Sequence, residues 1–348
     1  ERGKKLNKII ERIISHKKLY VLTSMIKVIK NDEVAERVWG VWQDKDEIVI
    51  KHFGDEYPGK IIYMININDD QGGFFAQMRW VCTLLLYADR RGFIPYIKIG
   101  SKSRYYEAGI TSTNNPFEYY FQMVSEVRGE TIARAQNIIY SELKHLKEVQ
   151  TNVSFQMDPV IVKNFSYIWK KYIHFNFDTN LKIEEGIRSL GINNKKTIGV
   201  HVRGTDFKQN YNGHPIAVPV EEELKIVKEA MEKYKYEQVF VATDEFQTIE
   251  LFKKEFGNKV VYYQDTYRSR DGVAVHDSVG TRKLHHYMLG LEVLRDVQTL
   301  AICKGFVAGQ SNVSFFAMII NRAGDEPYEF CYICDKGMNH NKNHYKKR

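Results

Sequence analysis

The chain has 348 residues, of which 43% are hydrophobic and 27% are charged, and its formal net charge is +8. This composition excludes a disordered chain and is typical of a soluble globular protein with room for two domains of roughly 150 residues each. The positive charge is spread through Lys-rich helical segments and the ends, without the alternation of aromatic and basic residues that indicates a base-stacking surface. We therefore expect an anionic small molecule as ligand, and no nucleic acid.

Residues 4–30 are Lys-rich, with apolar residues on a roughly helical period. Such a helix either lies on a membrane surface or packs on its own domain, and we favour the second interpretation. No apolar run approaches the ~18–20 residues that cross a bilayer, and no secretory signal is recognisable. Since the sequence begins at Glu1, an upstream anchor stays open, and we expect a cytoplasmic or membrane-peripheral protein. The four cysteines fit a reducing compartment.

The first strong unit is a strand, a helix and a second strand. Residues 60–68 form an apolar, β-branched run, and residues 69–73 form a turn. A helical pattern then covers residues 74–91 and ends at Gly92, a residue suited to a left-handed cap. Residues 93–97 restart as a strand, which completes a right-handed βαβ unit.

The next segment, residues 101–180, is harder to interpret, and we expect one polar helix near 130–149. A polar, Gly-containing linker near 178–196 predicts a domain boundary. We therefore expect domains at 1–180, including the basic helix, and at 181–330, followed by a solvated tail at 331–348.

The second half alternates strands with amphipathic helices. The predicted strands cover residues 197–202, 238–243, 259–263 and 305–308, and the last predicted helices cover 284–304 and 313–322. This alternation predicts an α/β fold with a doubly wound parallel sheet.

Polar clusters follow three of these strands: residues 201–206 (His-Val-Arg-Gly-Thr-Asp), 242–245 (Ala-Thr-Asp-Glu) and 309–314 (Gly-Gln-Ser-Asn-Val-Ser). In a parallel sheet they would meet along the carboxyl edge, where open α/β sheets bind nucleotides and phosphorylated ligands. The pattern indicates an enzyme site.

Arg203 leaves the first strand two residues after His201, on the same face. Its guanidinium group can bind a phosphate through two hydrogen bonds, which a lysine cannot do. The alternative is a structural ion pair with Asp206. Since two further clusters lie on the same edge, we favour the functional interpretation.

The segment Gln310-Ser311-Asn312 stands where the last strand meets the helix 313–322. Free N–H groups at a helix start attract phosphate, and the Ser311 hydroxyl adds a donor. Ser311 is equally suited to act as an ordinary helix N-cap, and the two roles are compatible.

Two aspartates are candidates for the nucleoside end of a ligand. Asp244, at the end of its strand, could hold a ribose or a guanine, or could orient Arg203 or His201. Asp296, on the long helix, could accept from a base edge, but it could also be a solvated helical residue. Spacing alone does not decide between these interpretations.

A Cys-x2-Cys pair, Cys331 and Cys334, precedes His340 and His344 and raises the question of a zinc site. The gap is shorter than in a zinc finger, and residues 331–334 alternate as a strand does. We expect no metal.

The three clusters, in this order and spacing, resemble the three motifs of the α-1,6-fucosyltransferase superfamily. This group includes the core-fucosylating enzymes of N-glycans, the nodulation fucosyltransferases and the protein O-fucosyltransferases. The resemblance covers the second half and includes Asp296, one helix before the third motif; the first half matches only loosely.

The resemblance implies a GT-B fold: two Rossmann-like domains facing a central cleft, with GDP-fucose bound in the C-terminal domain and the acceptor on the N-terminal side. It also implies inverting transfer without a metal or other cofactor. His201 and Arg203 would lie at the diphosphate, Arg203 neutralising charge as GDP leaves. Asp244 and Asp296 would bind the nucleoside, and Ser311 the phosphate; Asp206, Gln310 and Asn312 complete the expected donor site.

The sequence departs from the family pattern in two places. The core-fucosylating enzymes have a second arginine where Gly204 stands, so phosphate binding would come partly from elsewhere, for example from Lys208. They also have an acid a few positions later, whereas no carboxylate lies between Asp206 and Glu221 here. The acceptor proton would then pass to Asp70 or Asp69, or less readily to His214, unless the transition state is loose enough to need no base.

These patterns together predict a glycosyltransferase that moves fucose from GDP-fucose to a glycan hydroxyl. Two rivals stay open: an enzyme with another nucleotide sugar or a peptide acceptor, and a non-catalytic module that binds a nucleotide or glycan.

Overall fold

A computed structural model describes residues 48–68, 72–149, 158–270, 275 and 280–343. The elements below all belong to the unit formed by residues 52–348. The predicted basic helix at 4–30 and the candidate acids Asp69 and Asp70 lie outside the described residues.

The first sheet is built from β1 (Ile62–Ile67), β2 (Ile94–Ile99) and β3 (Ile138–Tyr140), all parallel, in the order β2-β1-β3. Helix α1 (Phe74–Arg91) connects β1 to β2 and is buried along most of its length, because its apolar residues cover more than one face. It ends at Gly92, whose φ of 65° is the left-handed conformation that glycine adopts without strain. The predicted βαβ unit is confirmed.

The single helix expected near residues 130–149 is wrong. The chain forms a short helix α2 (Gly129–Ile132), then β3, then α3 (Leu143–Val149). The run Ile138-Ile139-Tyr140 is β-branched and aromatic, and pairing with β1 buries both isoleucines. Tertiary pairing thus overrides the weak local helical pattern.

Two helices follow that the sequence analysis did not identify. Helix α4 (Pro159–Tyr172) is capped by Asp158, whose side chain accepts hydrogen bonds from Val160 N and Ile161 N. Helix α5 (Phe177–Ser189) is capped by Asn176, which accepts from Thr179 N. Helix α5 therefore occupies most of the segment predicted as a linker.

The second sheet has five parallel strands in the order β6-β5-β4-β7-β8. They are β4 (Thr197–Val202), β5 (Gln238–Thr243), β6 (Val260–Val261), β7 (Gly305–Gly309) and β8 (Phe330–Cys334). The connecting helices are α6 (Val220–Tyr234), α7 (Phe246–Phe256), α8 (His285–Ile302) and α9 (Asn312–Ala323). The predicted α/β class and the doubly wound parallel sheet are confirmed.

The strand order reverses between β4 and β7. From β4 the chain proceeds through β5 to β6 on one side, and it then returns to place β7 and β8 on the other. His201 in β4 lies opposite Ala308 in β7, so the segments that leave these strands diverge from neighbouring points. Such a switch point is where open α/β sheets form a ligand crevice.

The end of the chain is less solvated than its composition suggests. Strand β8 pairs with β7 along its whole length and so includes the first residues of the predicted tail. Beyond it, Asn339 N donates to His214 O at 2.8 Å, and Gly213 N donates to Asn339 O at 2.9 Å. The tail thus packs against the loop after β4.

The two sheets share one hydrophobic core, which contains Tyr63 of β1 and Phe306 of β7. Helix α4 packs on α9 through an edge-on contact between Phe165 and Phe315, with ring centroids 5.6 Å apart. The division of residues 52–348 into two domains stays a prediction.

Candidate active site

A cavity of about 440 Å³ opens at the switch point between β4 and β7. Its polar wall comes from the ends of β4 and β5, the start of α9 and the inner face of α8. Its opposite wall comes from the start of α1 and from Tyr105. The cavity brings together six of the predicted binding residues: His201, Arg203, Asp244, Asp296, Ser311 and Asn312.

Arg203 and Asp244 form an ion pair between the ends of β4 and β5. The Asp244 carboxylate also accepts from Gly204 N at 2.9 Å and from Thr205 Oγ1 at 2.7 Å. The sequence left several roles open for Asp244: binding a ribose or a guanine, or orienting Arg203 or His201. The structure shows that Asp244 orients Arg203. The guanidinium side chain keeps 20% of its surface exposed, so it faces the cavity while one edge is held.

Burial alone would raise the pKa of Asp244. The charge of Arg203 and the hydrogen bonds from Thr205 and Gly204 outweigh it and leave this pKa below its usual value. Asp244 is therefore ionised at neutral pH, and Arg203 keeps a fixed orientation.

His201 is 5% exposed and lies beneath this pair. Burial, followed by the positive charge of Arg203, lowers its pKa to about 3. Its Nδ1 lies 3.1 Å from Ser314 Oγ and 3.4 Å from Ser311 Oγ. The His201 ring is thus neutral, and the hydroxyl groups of two serines lie next to its Nδ1 atom.

Helix α9 begins at the cavity. Ser311 is its N-cap, and its Oγ accepts from Ser314 N at 3.0 Å. Asn312 and Val313 follow and line the cavity, so the first turn of a 12-residue helix lies at its wall. A helix start of this kind favours an anion.

Asp296 lies on the inner face of α8 and is 7% exposed, so it is not a solvated helical residue. Burial raises its pKa to about 7, although Arg268 and Arg295 act in the opposite direction. Its Oδ1 atom is buried and has no hydrogen-bond partner among the described residues. Asp296 also lines the cavity, so a carboxyl group with an unused acceptor borders the space in which a ligand would lie.

The opposite wall is apolar and backbone-lined. Gly72 and Gly73 follow the candidate acids, and Trp80 lies further along α1. Tyr105 fixes the start of this helix, because its hydroxyl oxygen accepts from Phe74 N at 2.6 Å. The cavity therefore has a charged wall and an aromatic wall.

The remaining predicted residues differ in their placement. Gln310 is buried and does not line the cavity, so its side chain does not reach a ligand there. Asp206 lies in a short 3-10 turn, Thr205–Gln209. His214 lines the cavity, from the loop against which the chain end packs.

Lys208 is not directed at the cavity. Its Nζ lies 2.6 Å from Glu245 Oε2, and the Glu245 side chain is only 6% exposed. Glu245 also accepts from Thr205 N at 3.2 Å. The suggestion that Lys208 supplies the missing phosphate contact is therefore wrong for this arrangement.

The Cys pair lies on strand β8. Cys331 is exposed and Cys334 is buried, as expected for residues three apart on a strand, which face opposite sides. No cluster of three or more His, Cys, Asp or Glu suited to a metal occurs in the described ranges. His344 lies outside them.

Sequence reasoning missed several residues that support or line the site. Glu292 lines the cavity one helical turn before Asp296, a spacing that could have revealed it, and it pairs with Arg282. Ser314 stands three residues after the cap Ser311, which is the spacing of a capping pair. Nothing local marks the role of Arg282.

None of the helices in the described ranges is both long enough and apolar enough to span a membrane.

No protein family model matches the chain, and no curated protein matches it. Similar solved structures include a NodZ α-1,6-fucosyltransferase soaked with GDP-fucose, with 16% identity and a TM-score of 0.44 over 75% of this chain and 92% of that chain. A fucosyltransferase NodZ from Bradyrhizobium has 15% identity and a TM-score of 0.43, over 74% of this chain and 91% of that one. POFUT1 in complex with GDP has 13% identity and a TM-score of 0.40, over 79% and 98%.

Proposed function

We propose that the protein is a glycosyltransferase that moves fucose from GDP-fucose to a glycan hydroxyl, with inversion at the anomeric carbon and without a metal. The main observation behind this proposal is one cavity at the switch point of the second sheet. It is lined by the ends of β4 and β5, the start of α9 and Asp296 of α8. A fixed cation, a helix start and a buried acceptor are complementary to the diphosphate and base of a nucleotide sugar.

Arg203 is the residue for the diphosphate. Its side chain is held by Asp244 and lines the cavity, where its positive charge would stabilise the oxygens that gain charge as GDP leaves. The N–H groups at the start of α9 add a second positive field on the same anion. The neutral ring of His201 adds no charge.

Asp296 is the residue for the nucleobase. Guanine presents neighbouring N–H donors on one edge, and the buried Oδ1 of Asp296 is an acceptor without a partner in the described structure. Adenine offers an acceptor in the place of one of these donors. The pairing therefore favours GDP over ADP.

A metal is not required for this chemistry, since Arg203 and the helix start supply positive charge at the diphosphate. We expect full activity in EDTA, and strict dependence on a divalent cation would contradict the proposal.

The test combines binding and turnover. Calorimetry should show GDP binding with a clear preference over ADP, and GDP should be released from GDP-fucose faster when glycan acceptors are present. Binding without any turnover would instead indicate the non-catalytic module. Turnover with another nucleotide sugar, but not with GDP-fucose, would reassign the donor.

A further inference from the structure

The hydroxyl of Ser314 has one hydrogen and three close neighbours. Its Oγ lies 2.7 Å from the backbone oxygen Gly309 O, 2.9 Å from Ser311 Oγ and 3.1 Å from His201 Nδ1. A carbonyl oxygen only accepts, so the 2.7 Å contact requires the Ser314 hydrogen to point at Gly309 O. That hydrogen is therefore unavailable to His201.

The contact between His201 Nδ1 and Ser314 Oγ then needs its hydrogen from the histidine. Ser314 Oγ has two lone pairs, which accept from His201 Nδ1–H and from the Ser311 hydroxyl. The Ser311 hydroxyl has two possible acceptors, Ser314 Oγ at 2.9 Å and His201 Nδ1 at 3.4 Å, and the shorter contact directs its hydrogen to Ser314. The neutral His201 ring carries its proton on Nδ1, and its Nε2 carries a lone pair.

The other side of the ring faces the cavity. His201 is among the cavity-lining residues, and its Nε2 has no hydrogen-bond partner in the described ranges. A deprotonated Nε2 cannot donate to a phosphate oxygen, and two acceptors in contact repel each other. It does fit a hydroxyl group, which brings the hydrogen.

We propose that Ser314 holds His201 as the Nδ1–H tautomer, so that Nε2 accepts a hydrogen bond from a sugar hydroxyl of the substrate. His201 then selects a hydroxyl beside the diphosphate, while Arg203 contacts the diphosphate itself. Ser314 is a positioning residue, since it acts on the substrate through His201. The tautomer is a property of the empty protein, whereas the hydroxyl contact rests on the proposed function.

Ring-15N-labelled histidine gives a direct readout, because the two ring nitrogens differ in 15N shift according to which is protonated. His201→Gln identifies the His201 signals by their absence. We expect protonated Nδ1 and unprotonated Nε2 in the empty protein at pH 7. Protonated Nε2 there would overturn the proposal, whether or not the protein binds GDP.

A matched pair of variants tests the part played by Ser314. Ser314→Ala removes the acceptor of Nδ1–H, so the His201 signals should move towards the other tautomer. Ser166→Ala is the control, because Ser166 is also buried and its Oγ donates to Val162 O at 2.7 Å, away from the cavity. An unchanged His201 spectrum in Ser314→Ala would overturn the assignment.

Addition of GDP, GDP-fucose, and GDP-fucose with a glycan identifies the source of the hydroxyl. A shift of Nε2 with GDP indicates the ribose, a shift only with GDP-fucose indicates the fucose, and a shift only with the glycan indicates the acceptor. In each case Ser314→Ala should weaken binding of that ligand about tenfold, the effect of one hydrogen bond.

Two failures of this experiment are distinguishable. If the ligands bind and Nε2 does not shift, or becomes protonated, recognition of a hydroxyl group by His201 is refuted. If GDP does not bind at all, the proposed function fails, and the assignment of the tautomer still stands.

Discussion

The carboxyl group of Glu245 occupies the space into which a side chain at Gly204 would project. It is held there by Lys208 Nζ, which lies 2.6 Å from its Oε2. Position 204 therefore has no room for an arginine while the buried Glu245, at the end of β5, keeps this position. A cation at 204 and Glu245 in its present position are mutually exclusive.

Gly204→Ala should destabilise the protein, because a Cβ atom would overlap the Glu245 carboxyl group. We expect a loss of ~1–3 kcal/mol in the free energy of unfolding, the usual cost of overpacking. Urea unfolding measures this loss. Gly324→Ala, where a Cβ finds ordinary contacts, is the control, and Gly204→Ala combined with Glu245→Ala should recover part of the loss.

Arg203→Ala should lower kcat/KM for GDP-fucose by ~2–4 kcal/mol of transition-state stabilisation, or about 30- to 1,000-fold. Arg203→Lys should remain poor, because an ammonium group does not hold the two-pronged contact that a guanidinium makes. Steady-state GDP release measures both variants. Turnover close to that of the unchanged protein would remove Arg203 from the mechanism.

Asp296 should make GDP binding dependent on pH. Its pKa is raised to about 7 by burial, and the base is expected to bind the ionised form. Affinity should therefore rise with pH up to about 7 and then level off, and calorimetry across this range should show proton release below it. Asp296→Asn should bind GDP more weakly and without this pH dependence; a retained pH dependence would assign it to another group.

Glu223 should make the stability of the empty protein dependent on pH. Burial raises its pKa to about 8, although a hydrogen bond from Gly309 N lowers it. Since the folded state holds the proton more tightly than the unfolded state, stability falls as the pH rises from about 4.5 to about 8, by up to ~1.4 kcal/mol per pH unit.

Denaturant unfolding at several pH values tests this slope. Glu223→Gln should be the more stable protein at pH 8 and should have a shallower slope. The contribution of Asp296 ends near pH 7, where its own pKa lies, so the interval from 7 to 8 reports on Glu223. An unchanged slope in that interval would contradict the assignment.

The sequence predicted the elements with strong local patterns. Helix α1 and its Gly92 cap, and the alternation that builds the second sheet, are visible because burial on fixed faces imposes a period. Strand β3 was missed because three residues are too few to show alternation. The caps Asp158 and Asn176 are present in the sequence, but the segment that forms α4 was not resolved into elements, and most of α5 was predicted as a linker.

The sequence predicted those parts of the candidate site that follow from the order and direction of the strands. Arg203, Asp244 and Ser311 meet because parallel strands end at one edge. The pairing of Lys208 with Glu245 depends on a contact between separate loops, which spacing does not reveal. The burial of Asp296 likewise depends on how α8 packs, and it excludes the solvated helical residue that the sequence had left open.

Helix α9 extends from the cavity into the interior of the protein. Its first turn faces the cavity, while Phe315 and Phe316 pack against Phe165 and Trp169 of α4. A fragment cut at residue 180 would lose α4 and expose these rings to water, so we expect residues 181–348 alone not to fold as they do in the intact chain. Any transfer of the cavity to another chain would have to include α4 together with the strands of the second sheet.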